Sequence, residues 1–245
     1  MSSPALRRRQ KILASLAGTL LPPAAAPAAP AGDTQAGQEY AALKAVLHDQ
    51  LRNLSDIQSH ELRQPKKAEY AAIYRPWIEG LLEANLPVQD EILVTNMIWA
   101  IDYHDFAYAL RLARFAIGHG LILPERYNRT MACFVGEEIA TLALASHEDV
   151  PHEVLLEVAQ LVEGADMPDP ALAKLKKALG RSWLRRADSF DPAADNAPAG
   201  GALAYAEQAL TDLQRALALD ANAGVKKDIQ RAEALMKKLA APAST

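Results

Sequence analysis

The sequence predicts an all-α protein: a long coiled-coil-like helix, a multi-helix core and a C-terminal hairpin of tetratricopeptide type. Three observations lead there. Ala and Leu are abundant and β-branched runs are absent, which favours helix over strand. Half of the 245 residues are hydrophobic, yet only 6% are aromatic. Apolar residues recur in steps of three and four, punctuated by Pro and Gly rather than by the alternation of strands.

The first segment, residues 1–21, is a basic arm. Arg7, Arg8, Arg9 and Lys11 fall within eleven residues that contain no acid. The arm followed by ILASLAGTLL also has the outline of a secretory signal, although Ser15, Gly18 and Thr19 interrupt its apolar part. Residues 22–38 read as a Pro/Ala/Gly linker. A helix is expected over residues 39–64, with Leu43, Leu47, Leu51 and Leu54 forming a coiled-coil-like seam for self-association. The same spacing equally suits a helix packed on its own chain. Pro65 marks the expected stop or kink.

Residues 65–187 form the expected helical core. Pro76 precedes a short helix, WIEGLLEAN. The stretch from Gln89 to Pro124 reads as two apolar helices around a turn, with Asp105 as N-cap of the second. Gly118 and Gly120 should end that helix, and Pro124 should open the next, ERYNRTMACFVGEEIATLALAS. Further helices follow over Pro151–Gly164 and Pro168–Ala187. Residues 188–201 form a second linker, and residues 202–245 the hairpin.

No catalytic or metal-binding motif stands out. Asp90–Glu91, Asp102/Asp105 and Glu137–Glu138 are the candidate carboxylates for metal-assisted phosphodiester chemistry. Adjacent helical residues point about 100° apart, so neither adjacent pair readily shares an ion. The six histidines lack ligand spacing, and the one cysteine, Cys133, reads as a small buried hydrophobe. The segment Lys66–Ile101 superficially suggests a helix-turn-helix, but its second helix offers Ile, Leu, Val, Met and Trp where a groove-reading helix needs polar side chains. The net charge of −4 excludes a uniformly basic nucleic-acid binder, and no stretch reaches the roughly twenty apolar residues of a membrane span.

Several strings taken in order do resemble a known family. SPALRRRQ, WIEGLLEA with QDEIL, LPERYNRTMACFVGEEIA, MPDPALAKLKKALG and GVKKDIQRAEALMKK are similar to the small terminase subunit of peduovirus-type temperate tailed phages. The resemblance implies a DNA-packaging role in the bacterial host cytoplasm. Its expected partners are double-stranded phage DNA at the cohesive-end region and a large terminase subunit, to which Mg²⁺ and ATP would belong. It also implies a homo-oligomeric ring and no membrane. The family's small subunit is called an endonuclease subunit. The carboxylates above do not support an autonomous nuclease, so that name is expected to describe the complex. Arg7, Arg8, Arg9 and Lys11 are the expected DNA contacts. The competing expectation is an exported helical-repeat binding protein with a cleaved signal. The 22–38 linker, Pro65 and the 188–201 break depart from the family pattern.

Overall fold

The computed structural model describes residues 27–30, 32–194, 197–198 and 201–240; the basic arm lies outside them. Among the described residues there are α-helices and one short 3₁₀ turn, and no strand. The helices are α1 (Gln35–Asp56), α2 (His60–Ala84), α3 (Glu91–Asp102), α4 (Phe106–Gly118), α5 (Met131–Ala145), α6 (His152–Leu161), α7 (Asp169–Asp188), α8 (Gly201–Leu219) and α9 (Lys226–Ala240).

The helix expected from residue 39 starts four residues earlier, because the Thr34 hydroxyl caps it by accepting from Gly37 N at 3.0 Å. It then ends at Asp56, well before Pro65, and Ile57–Ser59 turn the chain into α2. The expected stop at Pro65 and the expected short helix after Pro76 are both corrected: α2 runs unbroken through the two prolines. Pro65 and Pro76 are exposed, as are Glu61 and Ala72 four residues before them. Water can therefore take the carbonyl oxygens left open by the missing N–H groups.

α1 and α2 lie antiparallel, joined by a buried hydrogen bond of 2.7 Å from the Tyr74 hydroxyl to Gln50 Oε1. The first core gathers Leu47, Tyr74, Ile78, Ile92, Leu93, Met97, Leu110 and Leu112 around α3, whose residues Ile92–Ile101 are all buried. A helix buried around its whole circumference occupies a protein's centre. Asp90 and Asp105 cap the central pair, accepting from Leu93 N at 2.7 Å and Tyr108 N at 3.2 Å. The sequence anticipated the Asp105 cap.

Pro124 does not open a helix. It leads into the 3₁₀ turn Glu125–Tyr127, Asn128 takes a left-handed φ of 38°, and Thr130 caps α5 by accepting from Cys133 N at 3.2 Å. Thr130, rather than the proline, is thus the start signal. The chain's last helices also differ from a free-standing hairpin. α8 returns antiparallel along α7, and α9 runs parallel to α7, so the three enclose a second core of Leu184, Ala209, Leu213, Ala216, Val225 and Ala232. α7 contributes Leu175, Ala178 and Leu179 to the first core and Leu184 to the second. Gly180 lets α8 approach: a β-carbon there would stand 2.6 Å from Leu213 Cγ and 3.2 Å from Ala209 O.

Candidate functional site

The carboxylates that could have held a metal are bound to the protein instead. Asp90 is fully buried and accepts from Leu93 N and, at 2.8 Å, from Trp77 Nε1. Burial pushes its carboxyl above the ordinary carboxylate value. Glu91 meets Lys44 at 2.8 Å and His48 at 2.9 Å. Burial alone would raise the Glu91 carboxyl, but hydrogen bonds from Lys44 and His48 outweigh it and hold it below the usual value. Asp102 pairs with Lys67 at 2.5 Å and Asp105 with Arg75 at 3.1 Å.

Glu137 and Glu138 are clamped by one arginine. Arg129 reaches Glu137 at 2.6 Å and Glu138 at 2.8 Å, and Lys174 of α7 reaches Glu137 at 2.7 Å. The Lys174 hydrogen bond is the main reason the Glu137 carboxyl titrates low. Arg129 is therefore an internal staple between the 3₁₀ turn and α5. Among the described residues, no three His, Cys, Asp or Glu side chains converge as a metal site. Cys133 is 2% exposed, and burial raises its thiol above the ordinary value, which is the environment of an inert packing residue.

The leucine seam divides. Leu47 and Leu54 are buried against the chain's own core, whereas Leu43 and Leu51 are half-buried, with Val46 exposed between them. Arg7, Arg8, Arg9 and Lys11 lie outside the described residues. The chain nevertheless enters the body at a defined point, because Gln89 N donates to Ala28 O at 3.1 Å.

A second basic feature escaped the reading by motif. Residues 27–168 carry ten Lys/Arg against twenty-one Asp/Glu, while residues 169–240 carry twelve against nine. The parallel course of α7 and α9 brings much of this positive charge to one side. Lys177 Nζ donates to Ala223 O at 2.7 Å, Arg181 meets Asp228 at 2.8 Å, and Arg231 pairs with Asp188. Arg185, one turn beyond Arg181, has no carboxylate partner among the described residues, nor do Lys227 and Lys238. Charge counted by segment, rather than over the whole chain, would have revealed this unit.

Comparison with known proteins supplies the family. The sequence model of the phage small terminase subunit matches residues 44–170, from α1 into the first turn of α7. The chain is 41% identical over 189 residues to the "Terminase, endonuclease subunit" of Escherichia phage P2, an alignment spanning 76% of this chain and 70% of that protein. No solved structure matches it. Among the described residues no helix is long and apolar enough to cross a membrane. The family match spans the α1–α6 bundle and the relative covers most of the chain, so the protein belongs to the phage small terminase subunit family, whose work is DNA packaging.

Proposed function

We propose that this chain is the DNA-recognising adaptor of a packaging terminase, acting in the bacterial cytoplasm. It marks the cohesive-end region of phage DNA and delivers it to a large subunit that supplies ATP hydrolysis and, with Mg²⁺, strand cleavage. The observation that carries this reading is the segregation of charge in a terminase-family chain. Along the sequence, an acid-free basic arm precedes an acidic helical segment and a basic helical segment follows it. The relative's name as an endonuclease subunit then describes the assembled complex, since the candidate carboxylates here are committed to Arg129, Lys174, Lys67, Arg75, Lys44 and helix caps. The family match gives no support to an exported helical-repeat binding protein.

The arm provides the direct test. Arg7, Arg8, Arg9 and Lys11 contact phosphates and add affinity more than sequence choice. Four contacts per chain contribute up to about −3.6 to the slope of log K against log salt. Changing all four to alanine is expected to weaken binding to cohesive-end and random DNA by similar factors and to flatten the salt dependence. Wild-type affinity and slope in that variant would remove the arm from the interface.

Copies of the chain are further proposed to associate through the outer side of α1, as a ring-forming subunit requires. Val46, 42% exposed, with the half-buried Leu43 and Leu51, supplies the apolar contact, and Leu47 and Leu54 hold the helix in place beneath.

A further inference from the structure

We propose that the outer strip of α7 and α9, built by Lys177, Arg181, Arg185, Lys227, Arg231 and Lys238, grips the phosphate backbone of double-stranded DNA at a second place on each chain. This inference rests on the DNA-adaptor reading above and adds a surface to it.

The strip is continuous because the two helices run in register. Lys177 reaches the carbonyl of Ala223, Arg181 reaches Asp228 and Arg231 reaches Asp188, so equivalent turns of α7 and α9 face each other along the strip. Lys177, Arg181 and Arg185 are spaced four residues apart, about 6 Å per step along one side of α7. Lys227 and Arg231 repeat that spacing on α9, and Lys238 borders the same shallow pocket as Asp188 at the far end. Two carboxylates, Asp188 and Asp228, are paired into the strip against its six cations, so four positive charges are left in excess.

The three cations with neither an ion pair nor a hydrogen-bond partner among the described residues, Arg185, Lys227 and Lys238, decide what the strip can do. Lys227 and Lys238 are exposed and Arg185 is half-buried. Burial and then the neighbouring Arg181 make the charged state of Arg185 less favourable than in water. The same two causes act on Lys177. An arriving anion relieves that repulsion without breaking an existing ion pair. Several arginines elsewhere in the chain are spent on carboxylates, among them Arg111 on Glu79, Arg114 on Glu157 and Arg129 on Glu137 and Glu138. Arg185 has no such duty.

The chemistry favours a linear polyanion over an acidic protein segment. Duplex DNA presents a charge about every 1.7 Å of its axis, so a row of cations engages it at any register. A protein interface needs aromatic or aliphatic anchors at its centre. The exposed residues between Lys227 and Lys238 on α9 are Gln230, Arg231, Glu233, Ala234 and Lys237, none an aromatic or aliphatic anchor, and the exposed Leu239 lies at the end of the strip rather than at its centre. The acid excess of residues 27–168 disfavours DNA on that part of the chain and favours the basic arm and the basic segment that carries this strip.

The test uses the full chain carrying Arg185→Gln, Lys227→Gln and Lys238→Gln together, which leaves every ion pair of the strip intact. DNA affinity is measured from low to moderate salt on cohesive-end and random duplexes, with thermal unfolding as the check on the fold. Loss of three contacts is expected to reduce the slope magnitude by up to about 2.7, equally on both duplexes. Over a fourfold rise in salt, wild type should then lose up to about 40-fold more affinity than the variant. A charge-keeping variant, with Arg185→Lys, Lys227→Arg and Lys238→Arg, should retain the wild-type slope. An unchanged slope in the glutamine variant, alongside a flattened one in the arm variant, would overturn the strip and leave the adaptor reading standing. Intact DNA binding with lost capture of the large subunit would overturn it in favour of a protein partner. Wild-type protein that binds no duplex at low salt would bring down the adaptor reading itself.

Discussion

Replacing Asp90 with alanine is expected to destabilise the protein by about 3 kcal/mol, read from urea unfolding. The carboxylate accepts from Leu93 N at the start of α3 and from Trp77 Nε1 of α2, so one side chain caps the central helix and ties it to its neighbour. Loss of an N-cap costs about 1–2 kcal/mol. An indole N–H left without its acceptor adds about 1–3 kcal/mol. Asparagine recovers part of this, because its amide must turn an NH₂ toward one of the two donors. The pH dependence has a definite sign. Burial raises the folded-state value of the Asp90 carboxyl, so its contribution is full below the unfolded-state value and falls as pH rises through the raised one. The wild-type advantage over the alanine variant is therefore expected to be largest in acid and to shrink toward neutrality. An alanine variant within about 0.5 kcal/mol of wild type would show that α3 is held by packing alone.

Leu47→Asp is expected to cost more still, upward of about 4 kcal/mol, and to leave little helical circular dichroism near room temperature. Leu47 is fully buried against the first core. Removing a buried leucine side chain costs about 2–5 kcal/mol, and an unpaired carboxylate in its place adds a desolvation penalty. A domain's whole stability is about 5–15 kcal/mol. Val46→Asp on the same helix is expected to stay folded, because Val46 is 42% exposed, and to lower the oligomer mass in light scattering. A folded Leu47→Asp protein would mean that α1 docks less tightly than its burial indicates. A folded Val46→Asp protein of unchanged mass would overturn the proposal that copies associate through the outer side of α1.

The contrast between those neighbours shows what the sequence carried and what it did not. Helical periodicity identified the seam, and the helix exists, but periodicity is the same whether the apolar stripe meets its own core or another copy. The packing partner decides that Leu47 and Leu54 point inward. The central pair was legible down to its Asp105 cap, because α3 and α4 are apolar enough to be the core of any fold. The boundaries set by proline were not legible. Pro65 and Pro76 sit on the wet side of α2, where the lost backbone bond costs least, and Thr130 rather than Pro124 starts α5. Of the candidate site, the carboxylates could be listed but not their cations. Glu137 finds Lys174 thirty-seven residues away, a pairing no local pattern announces. The basic strip was hidden for a similar reason: α7 and α9 each look like ordinary amphipathic helices until the Arg181–Asp228 and Arg231–Asp188 ion pairs bring their charged sides together.

Footprinting of the intact chain on a cohesive-end DNA fragment, with Mg²⁺ present and the large subunit absent, tests the central claim most directly. The same samples are resolved for strand breaks. The result expected of the proposed DNA-recognising adaptor is protection of a discrete segment with both strands intact, because its candidate carboxylates are engaged in ion pairs and caps. Site-specific breaks that vanish on changing Glu137 or Glu138 to alanine, or a fragment with no protected segment at all, would contradict it.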